Sequence, residues 1–123
     1  MSRLTKQECD SFVGCYFSSA CMGIGSILLR FLGANSEGID VAVTTKFEWR
    51  DHENHVFGDG TNPSTTAALF PLLNLTVIHA QQDELNVLQI SFEGQKYLKI
   101  VPDKNGLESY VVYMPGVAGG IVF

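Results

Sequence analysis

A chain of 123 residues that is 46% hydrophobic, 11% aromatic and 17% charged is long enough for one packed domain and too apolar to stay disordered. Its formal net charge of −5 and pI near 5.0 come without any run of Lys or Arg. That pattern excludes the clustered cations of a nucleic-acid binder and suits a positively charged protein partner.

At the start, Thr5-Lys6-Gln7-Glu8 has capping-box spacing and predicts a short helix. Cys9, Cys15 and Cys21 cannot all pair and show no C-x-x-C spacing, so reduced thiols are expected rather than a disulfide framework or a zinc site. The stretch from Ser11 to Leu29 carries no charge, but three glycines and four serines make it too polar and too broken for a spanning helix. Strands over Cys15–Ala20 and Ile27–Leu32, joined at Gly23-Ile24-Gly25, explain it better. A cytoplasmic protein with no membrane segment is the expectation.

From Ile39 to Arg50, apolar or inward residues (Ile39, Val41, Val43, Thr45, Phe47, Trp49) alternate with Asp40, Ala42, Thr44, Lys46, Glu48 and Arg50. Strict period two predicts one long strand with one buried and one wet face, which argues for an antiparallel sheet. Asp51–Asn62 reads as a polar loop. Asn62-Pro63 reads as an N-cap and first helical turn, opening a helix to about Asn74 that turns Ala68, Leu69, Leu72 and Leu73 inward. Pro71 shortens or kinks it. From Thr76 onward, Val77–Gln82, Val87–Phe92, Tyr97–Val101, Ser109–Met114 and Gly120–Phe123 read as the strands of a meander. They are separated by turn chemistry at Asp83-Glu84, Glu93-Gly94, Asp103–Gly106 and Pro115–Gly119. Leu98 and Ile100 should lie opposite Leu88, Ile90 and Phe92. The fold class is therefore α+β: a twisted antiparallel β-sheet packed by one or two short helices, with a partly closed barrel as the alternative.

No sequence motif carries catalysis. There is no nucleophile elbow, no phosphate loop and no cysteine with a family-type flank, and the chain is read as a non-enzyme without a cofactor. His52 and His55, with Asp51, Glu53 and Asp59 nearby, are weak candidates for a metal site, because a loop holds no fixed constellation. The candidate partner-binding residues are the acids Glu48, Asp51, Glu53 and Asp59 around the end of the long strand, and Asp83 and Glu84 in the turn before the meander. Trp49 is either an aromatic anchor for that partner or, by its strand parity, core.

The stretch Leu88–Asp103, with its glycine turn and terminal Pro-Asp, resembles a family of small bacterial proteins. Glu108-Ser109-Tyr110 and Gly119-Gly120-Ile121-Val122-Phe123 are similar to that family too, and Phe47-Glu48-Trp49 and Ala68–Leu73 extend the likeness. Such proteins occur among the immunity proteins of contact-dependent inhibition and other polymorphic toxin systems. The resemblance implies a protein that binds a cognate toxin domain, often a nuclease, and neutralises it in the cytoplasm of the producing cell. It transfers no catalytic residues. The alternative reading is a small-ligand or metal-binding module built on the 51–59 loop. A small hydrolase with a cysteine or histidine activated in a cleft stands third.

Overall fold

A computed structural model describes residues 3–33, 38–104 and 108–123. The helix α1 (Lys6–Asp10) begins with the capping box that its sequence predicts: Thr5 Oγ1 accepts from the Glu8 N–H, and Glu8 Oε1 accepts from the Thr5 N–H. Among the described residues, ten strands follow in two antiparallel sheets of five. They are β1 (Tyr16–Gly23), β2 (Ser26–Leu32), β3 (Gly38–Val43), β4 (Lys46–Arg50), β5 (His55–Asp59), β6 (Val77–Gln82), β7 (Leu88–Phe92), β8 (Lys96–Val101), β9 (Tyr110–Tyr113) and β10 (Ile121–Val122). One sheet runs β1-β2-β3-β9-β10 and the other β5-β4-β8-β7-β6.

The α+β class stands, with the strands divided between two sheets instead of one. Backbone bonds join the sheets along one seam, where Gly14 donates to Val77 O and Val77 donates to Cys15 O. On the far side, β5 and β10 remain edges, so the sheets do not close into a barrel.

The predicted single strand Ile39–Arg50 is two strands in different sheets, broken at Thr44-Thr45. The alternation passes through the break unchanged. Ile39, Val41, Val43, Thr45, Phe47 and Trp49 are all buried, because the chain turns from one sheet to the other around a common interior. Thr45 Oγ1 donates to the Val101 carbonyl at 2.8 Å, which lets a hydroxyl sit inside without a lost hydrogen bond. Gly60 bonds to Thr45 O and lies so close against Val43 that a Cβ there would run into its carbonyl.

The meander holds for β6-β7-β8, and the expected pairing is observed: Leu88 stands opposite Ile100 and Ile90 opposite Leu98. It does not continue, because β9 returns to the first sheet and pairs with β3. Of the predicted turn Asp103–Gly106, Asn105 and Gly106 lie outside the described residues. Within the core, Phe17, Phe31 and Phe92 approach ring to ring across the two sheets, with Phe12 edge-on to Phe31. A part-buried polar chain ties the elements together. Gln82 accepts from the Leu4 N–H and donates to the Tyr110 hydroxyl, which donates to Asn86 O.

Asn62 caps the predicted helix as expected, accepting from the Ser64 N–H, but Pro63–Leu72 is a 3-10 helix. Its buried residues are Thr66, Leu69 and Leu72, every third position, which is the face a three-residue turn presents. The expected Ala68 and Leu73 are only half-buried. Pro71 has no N–H to give the Ala68 carbonyl, its i−3 partner. The Trp49 indole fills that vacancy, its Nε1 donating to Ala68 O at 2.6 Å.

Two substitutions test these joints by urea unfolding. Gly60→Ala should cost about 2–3 kcal/mol, since backbone rather than a movable side chain meets the new methyl; an unchanged midpoint would contradict the crossing geometry. Trp49→Phe keeps most of the apolar area but strands the Ala68 carbonyl, an expected loss of about 1–3 kcal/mol. A Trp49→Phe protein as stable as the wild type would show that the indole bond contributes nothing.

Candidate functional site

The segment Asp51–Asn62, predicted as a loop, contains β5, and with β4 it forms a hairpin. A four-residue turn joins the strands. Asp51 Oδ1 accepts from the N–H groups of Glu53 and Asn54 at 2.9 and 2.8 Å, and Lys96 Nζ lies 2.7 Å from Asp51 Oδ2. The Lys96 ammonium, followed by these backbone donors, holds the Asp51 carboxyl well below the usual carboxylate range. The Lys96 stem also brings its ammonium over the Trp49 ring. Trp49 itself is 3% exposed, so it is core and not an anchor for a partner.

The six predicted acids do not form one patch. Asp51 and Glu53 stand at the hairpin's turn, at one end of the second sheet. Asp59, Asp83 and Glu84 stand at the other end, where Lys46, Val101, Ile100 and Leu88 align. There, β4 and β8 separate Asp59 from the β6–β7 turn, a gap of about 14 Å at the usual strand spacing. Asp83 Oδ1 is engaged by the Leu85 and Val87 N–H groups, and Glu84 is exposed.

Glu48 and Asp59, by contrast, share the outer face of the hairpin. The register sets Phe57 beside Glu48 and Lys99 on the latter's other side, with Asp59 beside Lys46 and Arg50 between His55 and Tyr97. Phe57 is 64% exposed, and its ring stands 4.3 Å from the His55 ring. His55 Nε2 in turn lies 3.2 Å from Glu48 Oε2. Asp59 Oδ1 accepts from Thr61 Oγ1 at 2.7 Å and from the Thr61 N–H at 2.9 Å, bonds that keep its carboxyl below the ordinary value and charged. A groove of about 550 Å³ opens here, walled by Lys46, Glu48, Phe57, Asp59, Thr65 and Val101.

The hairpin's outer edge is partly open. Gly60 donates to Thr45 O and Asp51 to Asn54 O, so by antiparallel alternation residues 54, 56, 58 and 60 face β4. The backbone groups of His55, Phe57 and Asp59 point away from it. Thr65 Oγ1 donates to Asp59 O and accepts from its N–H, which caps the edge at that end.

The other candidates stay apart. His52 is exposed in the turn, and His79 is exposed on β6 at the opposite edge of the sheet. Among the described residues, no three His, Cys, Asp or Glu side chains stand close enough together to hold a metal ion. Cys9, Cys15 and Cys21 are free, and burial pushes the thiols of Cys9 and Cys15 up. Among the described residues no helix is long and apolar enough to cross a membrane.

Phe57, Thr65 and Val101 have no place in the sequence-based candidate set. Gly58 hides β5 from any alternation count, and it is glycine because the Phe47 ring occupies the space its side chain would need. The one available signal is the apolar pair Val56-Phe57 inside a polar stretch. Comparison with protein-family models, curated proteins and solved structures finds no match to this chain.

The depressed Asp51 carboxyl gives a pH signature. Its contribution to stability is present above the unfolded-state value of about 3.9 and fades as pH falls toward the lower folded value. Asp51→Asn should therefore be less stable than the wild type at neutral pH, with the gap closing as pH drops below about 4. Unfolding curves across that range check it; a gap that persists unchanged in acid would rule out the Asp51–Lys96 pair as its source.

Proposed function

We propose that this protein is an immunity-type inhibitor that binds a cognate, basic toxin domain stoichiometrically in the cytoplasm, using the outer face of the β4–β5 hairpin. One observation carries the reading: an exposed phenylalanine, Phe57, stands on a strand edge between two carboxylates, Glu48 and Asp59, beside a groove. Exposed aromatics ringed by polar groups are the usual energetic centres of protein interfaces. The surrounding signs alternate, since Lys46, Arg50 and Lys99 interleave with the acids. Such a face selects a partner by matching its pattern, while the net charge of −5 attracts a basic one from a distance. A rigid scaffold that blocks a toxin needs a complementary exterior and no chemistry of its own.

Co-expression with the product of the adjacent upstream gene tests this. The expected outcome is a 1:1 complex and protected cells, with Phe57→Ala weakening binding by about 30-fold or more. Unrelieved toxicity with no complex would refute the inhibitor reading. A complex indifferent to Phe57→Ala, Glu48→Lys and Asp59→Lys would refute the assigned face.

A further inference from the structure

We infer that the outer face of the β1-β2-β3-β9-β10 sheet pairs with the same face of a second copy of this chain. The register places Cys21 beside Leu28, Leu28 beside Ala42, Ala42 beside Val111 and Val111 beside Val122. That is one apolar row across all five strands, on the side away from the core. Cys21 and Val122 are exposed, Leu28 and Ala42 half-buried, and Val111 is covered by its own chain at Gly120. Neither helix packs there: α1 lies on β6, and the 3-10 helix sends Leu69 and Leu72 into the interior. The next row reads Ser19, Arg30, Asp40, Tyr113.

Arg30 and Asp40 are the only charged residues on this face among those described, and they pair with each other. Arg30 Nε lies 2.9 Å from Asp40 Oδ1 and Nη2 lies 3.1 Å from Oδ2. This identifies the occupant. A twofold axis lying between the two copies, parallel to the strands and midway between β2 and β3, carries β2 over β3 and β1 over β9. Leu28 then meets Ala42 of the second copy, large against small. Arg30 meets Asp40 of the second copy, and two ion pairs become a ring of four alternating charges. An unrelated apolar surface would bury that pair with nothing to offer it; a second copy satisfies it by symmetry.

The overlap of four strands spans about 20 Å by 20 Å, roughly 400 Å² in plan for each copy. Stable interfaces remove about 800 Å² of accessible surface per partner, so this one falls at the weak end and should depend on concentration.

Sedimentation from about 1 µM to about 1 mM should show a monomer passing to a dimer. Leu28→Lys, on the outer side and outside the core, should remain monomeric throughout. Arg30→Asp alone and Asp40→Arg alone each set four like charges together and should weaken association by at least about 100-fold. Mixed in equal amounts, these two single variants set two acids on one copy against two arginines on the other and should associate with each other. A wild type that stays monomeric to the highest concentration overturns the inference, as does a Leu28→Lys protein that still dimerises or a mixture that behaves like its separate components.

Discussion

The fold depends on an inward row of side chains that does not lose its phase at a corner. From Ile39 to Trp49, every second residue enters the same interior, although the first half of the row belongs to one sheet and the second half to the other. Thr45 makes the corner possible. It is small enough to turn, and its hydroxyl bonds to Val101 O across the second sheet. Since strand side chains alternate, fixing the inward set also fixes the outward one. Asp40 and Ala42 emerge on one outer face, and Lys46, Glu48 and Arg50 on the other. One stretch of twelve residues therefore sets the chemistry of both surfaces.

Much of this was readable from residue order. The capping box, the Asn62-Pro63 start, and the pairing of Leu88 and Ile90 with Ile100 and Leu98 rest on local chemistry or on short turns, and local signals are strong in a single sequence. The corner at Thr44-Thr45 was not readable, because a strand that changes sheets around one core keeps its period. The return of β9 to β3 was not readable either, since pairing across about 70 residues leaves no local trace. For the site, the candidate acids were found by type, but their separation into two ends follows from strand order. Phe57 was obscured by Gly58 beside it. In the 3-10 helix, the spacing Thr66, Leu69, Leu72 is the trace of a three-residue turn, but the same three positions also fit one side of an α-helix.

Three polar contacts finish what burial leaves open. Trp49 supplies the donor that Pro71 withholds from Ala68, Thr65 seals the end of the β5 edge, and Tyr110 joins Gln82 to Asn86 across the two sheets. Each removes an unpaired backbone or amide group at a junction between elements, where slippage would cost least. The space between the sheets is meanwhile filled by Phe12, Phe17, Phe31 and Phe92, all fully buried.

The charges on the outside are arranged by region. Among the described residues, the first sheet's outer face holds one arginine and one aspartate already paired, and the second interleaves Lys46, Arg50 and Lys99 with Glu48 and Asp59, so neither set carries a large net charge. The excess of acid lies in turns and ends, with Glu53 and Glu93 at one end of the second sheet and Asp83 and Glu84 at the other. Charges at a rim act mainly on how fast a partner arrives and fade with salt, whereas charges that become buried act on how long it stays. Under the proposed function, the rim would draw a basic domain toward the molecule without favouring one face. The choice between faces would then fall to the short-range pattern around Phe57, because the opposite face presents an apolar row and a charge pair that is already neutralised. Attraction and selection are thereby assigned to different residues, and a partner with the right charge but the wrong pattern would arrive without staying.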